Sequence, residues 1–176
     1  WLSEIKTHSP IKPYTWVWKL DKPKDLDRAS KNDDLIYLLF NVEAMSHRSG
    51  WKWLEARLTL KGTKTLLILD ESTTIKNPGA IRTKHLCRLG KLAKYRRILT
   101  GSPVTKSPLD LFTQCGFLSK ELLGFESYYT FRARYAVMQQ IQIGGRQILL
   151  PKYYTNLDEL EGKLKEFSFR VTKDEC

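Results

Sequence analysis

The stretch Thr65-Leu66-Leu67-Ile68-Leu69-Asp70-Glu71-Ser72-Thr73-Thr74-Ile75-Lys76-Asn77-Pro78 decides the fold. An apolar run of strand length ends in two carboxylates, then come three hydroxyl residues and a turn at Asn77-Pro78-Gly79. This is the pattern of a buried strand that delivers acid to a sheet edge. Ligands of open α/β sheets sit beyond the carboxyl ends of parallel strands, which puts Asp70 and Glu71 where a metal-bound phosphate would be handled. An Asp there suits contact with hydrated Mg²⁺, and an adjacent Glu suits orienting or deprotonating a water that attacks a γ-phosphate. The same residues also allow a plainer reading, in which Asp70 ends a strand and Ser72 to Thr74 cap the next segment of chain.

Working outward, Arg96-Arg97-Ile98-Leu99-Thr100-Gly101-Ser102-Pro103 is a second short strand ending in a small, hydroxyl-rich turn. Between the two strands, Leu86, Leu89 and Leu92 fall at helical spacing among basic residues, as expected for the crossover helix of a βαβ unit. The order of acidic strand end, basic helix and Leu-Thr-Gly-Ser-Pro strand end resembles motifs II and III of superfamily 2 helicases. It is most similar to the Swi/Snf-type branch, because Ile75-Lys76-Asn77-Pro78 follows the acidic pair and Leu109-Asp110-Leu111-Phe112 follows the Thr-Gly-Ser-Pro. Trp1-Leu2-Ser3-Glu4 resembles the tail of motif Ia, and Phe40-Asn41-Val42-Glu43-Ala44-Met45-Ser46 resembles motif Ib. Asn156-Leu157-Asp158-Glu159-Leu160 and the segment from Phe167 to Glu175 are similar to the end of the first motor lobe of these proteins.

The resemblance implies an α/β fold with a RecA-like parallel sheet flanked by helices. Residues 1–176 would form part of one helicase ATP-binding domain, with 121–176 as its helical and hairpin closing segment. It implies an ATP-dependent DNA translocase or helicase with ATP and Mg²⁺ as cofactors, and duplex DNA and a second RecA-like lobe as partners. Asp70 would hold Mg²⁺ through water and Glu71 would activate the attacking water. Thr100, Gly101 and Ser102 would couple the nucleotide state to the nucleic-acid side. Asn41, Ser46, His47, Arg48, Lys76 and Asn77 would face nucleic acid. For Asn41 to Arg48 an ordinary strand-to-helix turn with a Ser cap is the alternative. Many family members carry Ala-His after the acidic pair, where this chain has Ser72-Thr73. Thr73 could replace that histidine only as a shorter hydrogen-bonding group. The Asp-Glu-Ser-Thr form is more like phage or bacterial members, which suggests the cytoplasm of a bacterium or a phage-infected cell.

Gly101 with Lys106-Ser107 after it is superficially similar to a phosphate-binding loop. Lys already occupies the fifth position after that Gly and the second Gly is absent, so the match fails. The lysine that grips the β- and γ-phosphates is therefore expected upstream of Trp1, and the isolated chain is expected to be inactive. Two other classes share some of these features: an RNA helicase of the same superfamily, and a non-catalytic basic nucleic-acid-binding module. The Ile75 to Pro78 and Arg170 to Glu175 segments argue against the first, and the acidic strand end against the second.

Composition agrees with a nucleic-acid partner. The chain has 176 residues, 41% of them hydrophobic, which is enough for a sizeable core. A formal charge of +11 favours a polyanion. No apolar run is long enough to span a membrane, and the start lacks a signal-peptide pattern, so a soluble intracellular protein is expected. Cys87, Cys115 and Cys176 are widely spaced and form no Cys-x-x-Cys pair, and His8, His47 and His85 are isolated from one another, so a structural metal is not expected.

Elsewhere, residues 1–7 read as a helix and 14–20 as an alternating strand with Trp16, Trp18 and Leu20 on one face. Paired indoles can stack on bases, although at period two they more often form core. Residues 21–34 read as a charged loop or short helix, 35–42 as a strand buried on both faces if its sheet is parallel, and 51–58 and 109–118 as helices. The rings and guanidiniums interleaved over 121–138 can bind nucleic acid, although Phe125, Tyr128 and Tyr129 at helical spacing more often form a packing face. Gly144-Gly145 marks a hairpin turn, and Leu157, Leu160 and Leu164 form a helical stripe.

Overall fold

Among the described residues the parallel strands are four residues long, and each strand pairs with one neighbour. Tyr14–Val17 (β1) pairs in parallel with Ile36–Leu39 (β2), and Leu66–Leu69 (β3) pairs in parallel with Tyr95–Ile98 (β4). Ala136–Ile143 (β5) and Arg146–Tyr154 (β6) form an antiparallel hairpin. The computed structural model describes residues 1–22, 24, 26, 35–60, 62–172 and 175. The expected loop or short helix over 21–34 falls largely outside these described residues, as do Lys173, Asp174 and Cys176. The chain divides into two compact units, Trp1–Trp53 and Leu54–Cys176.

In the first unit the helix Leu2–His8 (α1) precedes β1, and a 3-10 turn over Val42–Ser46 leads into the helix Arg48–Leu58 (α2). Trp16 is fully buried, stacked on Trp53 with ring centroids 4.6 Å apart and planes 6° from parallel. Trp18 stacks on Phe40 at 5.4 Å. The paired indoles are therefore core, with offset and tilted contacts of the kind aromatic rings favour. The expected strand over 14–20 ends early. Lys19 takes φ 64°, the Val17 amide donates to Asp21 Oδ2 at 2.6 Å, and Leu20 is 79% exposed, because a turn has already reversed the chain. The expected strand over 35–42 is also shorter, and its residues are half-buried rather than buried. Among the described residues β2 has one strand neighbour, so one layer covers it incompletely.

The second unit carries the βαβ element as expected: β3, the helix Ile81–Gly90 (α3), then β4. Leu86 and Leu89 of α3 are buried, and Gly90 lets the helix approach the helix Leu111–Leu118 (α4), where an added Cβ would lie 3.2 Å from the Phe117 ring. The expectation that β3 is buried fails, since Leu66 and Ile68 are 52% and 46% exposed. Only the opposite side of the strand, at Leu69, is buried.

The closing part of this unit has its own core of Leu109, Leu111, Cys115, Leu123, Phe131, Tyr135, Ala136 and Leu160. The helix Tyr128–Tyr135 (α5) starts at a Ser127 cap in which each of Ser127 and Thr130 accepts from the other's backbone. The helix Leu157–Lys165 (α6) supplies Leu160. Phe125 and Tyr128 pack on this cluster as expected, but Tyr129 is 71% exposed, because the inner face of α5 is set by Phe131 and Tyr135. Gly144 and Gly145, at φ 55° and 79°, close the predicted hairpin in the left-handed geometry its turn requires. Among the described residues no helix is long and apolar enough to cross a membrane.

Candidate active site

The parallel register of β3 and β4 brings their carboxyl ends side by side. Leu69 lies opposite Ile98, the Leu99 amide donates to Leu69 O at 2.9 Å, and the Ser72 amide donates to Leu99 O at 3.0 Å. Asp70, Glu71 and the Thr100-Gly101-Ser102 turn therefore share one sheet edge, and both carboxylate residues are exposed. Glu71 adopts φ 48° and ψ 59°, a left-handed conformation that costs an L-residue about 1–2 kcal/mol. Its amide donates to Asp70 Oδ1 at 3.0 Å. Non-glycine residues held this way cluster at functional sites, where surrounding structure keeps the strained geometry.

The residues that hold Glu71 in place come directly after it. The 3-10 turn Ser72–Ile75 is anchored from below by α3 and α4. Ser72 is fully buried and its hydroxyl donates to Gln114 Oε1 at 2.6 Å. The buried Ile75 carbonyl accepts from Thr113 Oγ1 at 2.6 Å and from Thr83 Oγ1 at 3.3 Å. Lys76 Nζ donates to Thr105 Oγ1 at 2.6 Å, and Thr105 donates in turn to Asp110 Oδ2 at 2.9 Å. Asn77 Oδ1 accepts from the Gly79 amide at 2.8 Å, which closes the turn predicted at Asn77-Pro78-Gly79. Within the other turn, the Ser102 amide donates to Thr100 Oγ1 at 3.2 Å, and Ser102 Oγ donates to Val104 O at 3.1 Å.

The remaining residues singled out in the sequence sit in the first unit. Asn41 caps the 3-10 turn through Oδ1, which accepts from the Glu43 amide at 3.1 Å. Ser46, His47 and Arg48 are exposed where this turn meets α2. Sequence reasoning missed Gln114, Thr113, Thr83, Thr105 and Asp110. The signal available for two of them was the polar pair Thr113-Gln114 inside an otherwise apolar helix, where side chains of that kind need a partner when buried.

The donor set fits a hydrated magnesium ion better than a protein-enclosed metal. Among the described residues no three His, Cys, Asp or Glu side chains converge on a metal position. Mg²⁺ keeps several waters and takes one or two carboxylates together with phosphate oxygens, and Asp70 and Glu71 offer that number at an exposed edge.

No family profile matches the chain. A SWI/SNF-related matrix-associated actin-dependent regulator of chromatin subfamily A-like protein 1 homolog of Caenorhabditis elegans is 35% identical over 94 residues, covering 53% of this chain and 13% of that protein. The Drosophila melanogaster protein of that name is 34% identical over 110 residues, covering 62% and 14%. A putative SWI/SNF-related subfamily A member 3-like 1 protein of Arabidopsis thaliana is 36% identical over 63 residues, covering 36% and 7%. The chain thus matches only a small part of each relative. Among solved structures, the Sulfolobus solfataricus SWI2/SNF2 ATPase core in complex with dsDNA superposes with a TM-score of 0.51 at 24% identity, over 97% of this chain and 36% of that one. Its likeness supports the α/β, RecA-like fold. Over part of its length the chain is thus similar to Swi/Snf-related proteins, and its fold to that of a SWI2/SNF2 ATPase core.

Proposed function

We propose that the chain belongs to an ATP-dependent DNA translocase or helicase, and that its acidic strand end handles Mg²⁺-ATP. The observation that carries this is the meeting of Asp70-Glu71 and Thr100-Gly101-Ser102 at one sheet edge, with Glu71 in a left-handed conformation. Asp70 would hold Mg²⁺ through water, and Glu71 would orient and deprotonate the water that attacks the γ-phosphate. When bound, the ion would neutralise charge on the phosphate oxygens. Thr100 and Ser102, beside the acidic pair, would link the nucleotide state to the nucleic-acid side. Asn41, Ser46, His47, Arg48, Lys76 and Asn77 are proposed to face nucleic acid. Duplex DNA is the proposed partner, because the charge is strongly basic and the structural neighbour is a complex with dsDNA.

The test uses the complete protein from which this segment comes. Asp70→Asn should weaken Mg²⁺-dependent nucleotide binding. Glu71→Gln should leave nucleotide bound and lower kcat by about 10²–10⁴-fold, the range of a positioned general base. A Glu71→Gln enzyme with near-normal turnover would reduce Glu71 to a capping residue and sink the assignment.

A further inference from the structure

Gln114 sits in the middle of α4, fully buried, in a helix whose other buried positions are mostly apolar. Its amide nitrogen donates to Pro103 O at 2.7 Å and to Asp110 O at 2.9 Å. Carbonyls only accept, so these two bonds fix which end of the amide is nitrogen. Oε1 must then face Ser72, and the Ser72 hydroxyl must be the donor in their 2.6 Å bond. One side chain thereby ties the residue after Glu71, the loop after Thr100-Gly101-Ser102, and the first turn of its own helix. Residues 101–106 of that loop are all exposed and lack regular structure, so few other contacts fix where the loop stands. The second tie, from Lys76 through Thr105 to Asp110, ends on the residue whose carbonyl Gln114 also holds.

We infer that Gln114 is a positioning residue that locks the acidic strand end to the 100–107 loop through Ser72. The inference rests on the ATPase reading of the acidic pair. Ser72, directly beside Glu71, makes the contact through which Gln114 joins the two segments, and Lys76 adds a direct bond to Thr105, so a shift of the loop reaches the water-activating carboxylate through the Gln114 bridge as well as through Lys76. A buried amide with three of its four hydrogen-bonding positions filled is costly to disturb, because each lost partner leaves a desolvated polar atom behind. The arrangement therefore favours one discrete loop position over a continuum of them.

The test compares Ser72→Ala, Gln114→Met and the double variant in the complete protein, alongside wild type and Glu71→Gln. Activity is taken per folded molecule. The expected result is a kcat lowered roughly 10- to 100-fold, as small misplacements in an active site produce, with KM for ATP held within about twofold. The double variant should match the worse single variant, since both remove the same bond. Hydrogen exchange at the amides of Val104, Thr105 and Lys106 should quicken in all three. Ser72→Ala removes few atoms and keeps the comparison available should Gln114→Met fold poorly. Folded variants with wild-type kcat, or losses that add independently, overturn the inference while a dead Glu71→Gln enzyme leaves the ATPase reading standing. A wild-type protein whose ATP turnover does not depend on Glu71 overturns both.

Discussion

Glu71 shows how much a single backbone conformation can carry. Its left-handed geometry is one that glycine adopts without steric cost. Glu71→Gly should therefore raise the stability of the chain by up to about 1 kcal/mol, the steric relief less the entropy that glycine brings, while abolishing ATP turnover in the complete protein. Urea unfolding midpoints and a turnover assay check the two halves; a glycine variant less stable than wild type would mean that the Glu71 side chain makes contacts outweighing the strain. Cys115 offers a second expectation at this scale. Burial pushes its thiol up to about 12, so the thiolate is scarce at neutral pH. Iodoacetamide at pH 8 should leave Cys115 unmodified in the folded chain and label it on unfolding, a contrast read by mass spectrometry. The carboxylates of the candidate site stand out in the sequence because two acids ending an apolar run are a local pattern. Gln114 was legible only as a polar residue inside an apolar helix, since the partners that give it a role, Ser72 and Pro103, lie 42 and 11 residues away and nothing local marks them.

Elements were legible where period and turn chemistry agreed. The βαβ unit, its crossover helix and the Gly144-Gly145 hairpin all follow from local signals, whereas the extent of β1 and the burial of β3 depend on which layer covers a strand, which periodicity does not encode. Gly50, in the first turns of α2, was equally silent. A Cβ there would lie 2.2 Å from Ala44 O, in the 3-10 turn that carries the candidate nucleic-acid residues. Gly50→Ala should destabilise the chain by about 1–3 kcal/mol or displace that turn, measurable by denaturant unfolding. A neutral Gly50→Ala would show that helix and turn separate without cost. In the closing element, Glu159 of α6 accepts from Arg134 and from the Tyr135 hydroxyl of α5, the latter at 2.8 Å. Bonds from Arg134 and then Tyr135 hold its carboxyl below the usual carboxylate range. Because the folded-state pKa is lowered, this stabilisation is full above the pKa of the unfolded carboxylate and fades as pH falls through the folded value. Glu159→Gln should therefore lower Tm near neutral pH, with the gap to wild type closing in acid. A gap that stays constant with pH would assign the effect to packing.

At the scale of the whole molecule, charge sets which partners are attracted before any site is engaged. With 30 Lys and Arg against 19 Asp and Glu, the surface attracts a polyanion whichever residues finally touch it. Binding of that kind is driven by release of condensed counterions, so its logarithm falls linearly with the logarithm of salt concentration. A footprint of about four phosphates gives a slope near −3.6 on duplex DNA, and raising salt from about 50 to 200 mM should cost about 100-fold in affinity. The candidate contacts at Ser46, His47 and Arg48 offer hydroxyl, imidazole and guanidinium groups at an exposed turn, a set that can donate to phosphate oxygens. Arg48→Ala should accordingly weaken binding equally on duplexes of unrelated sequence and make the slope shallower by about 0.9. Fluorescence anisotropy across a salt series measures both quantities in one experiment. A slope unchanged by Arg48→Ala would remove that residue from the interface. Salt-independent binding, or a strong preference for one sequence, would show that the chain recognises DNA through something other than its backbone charge.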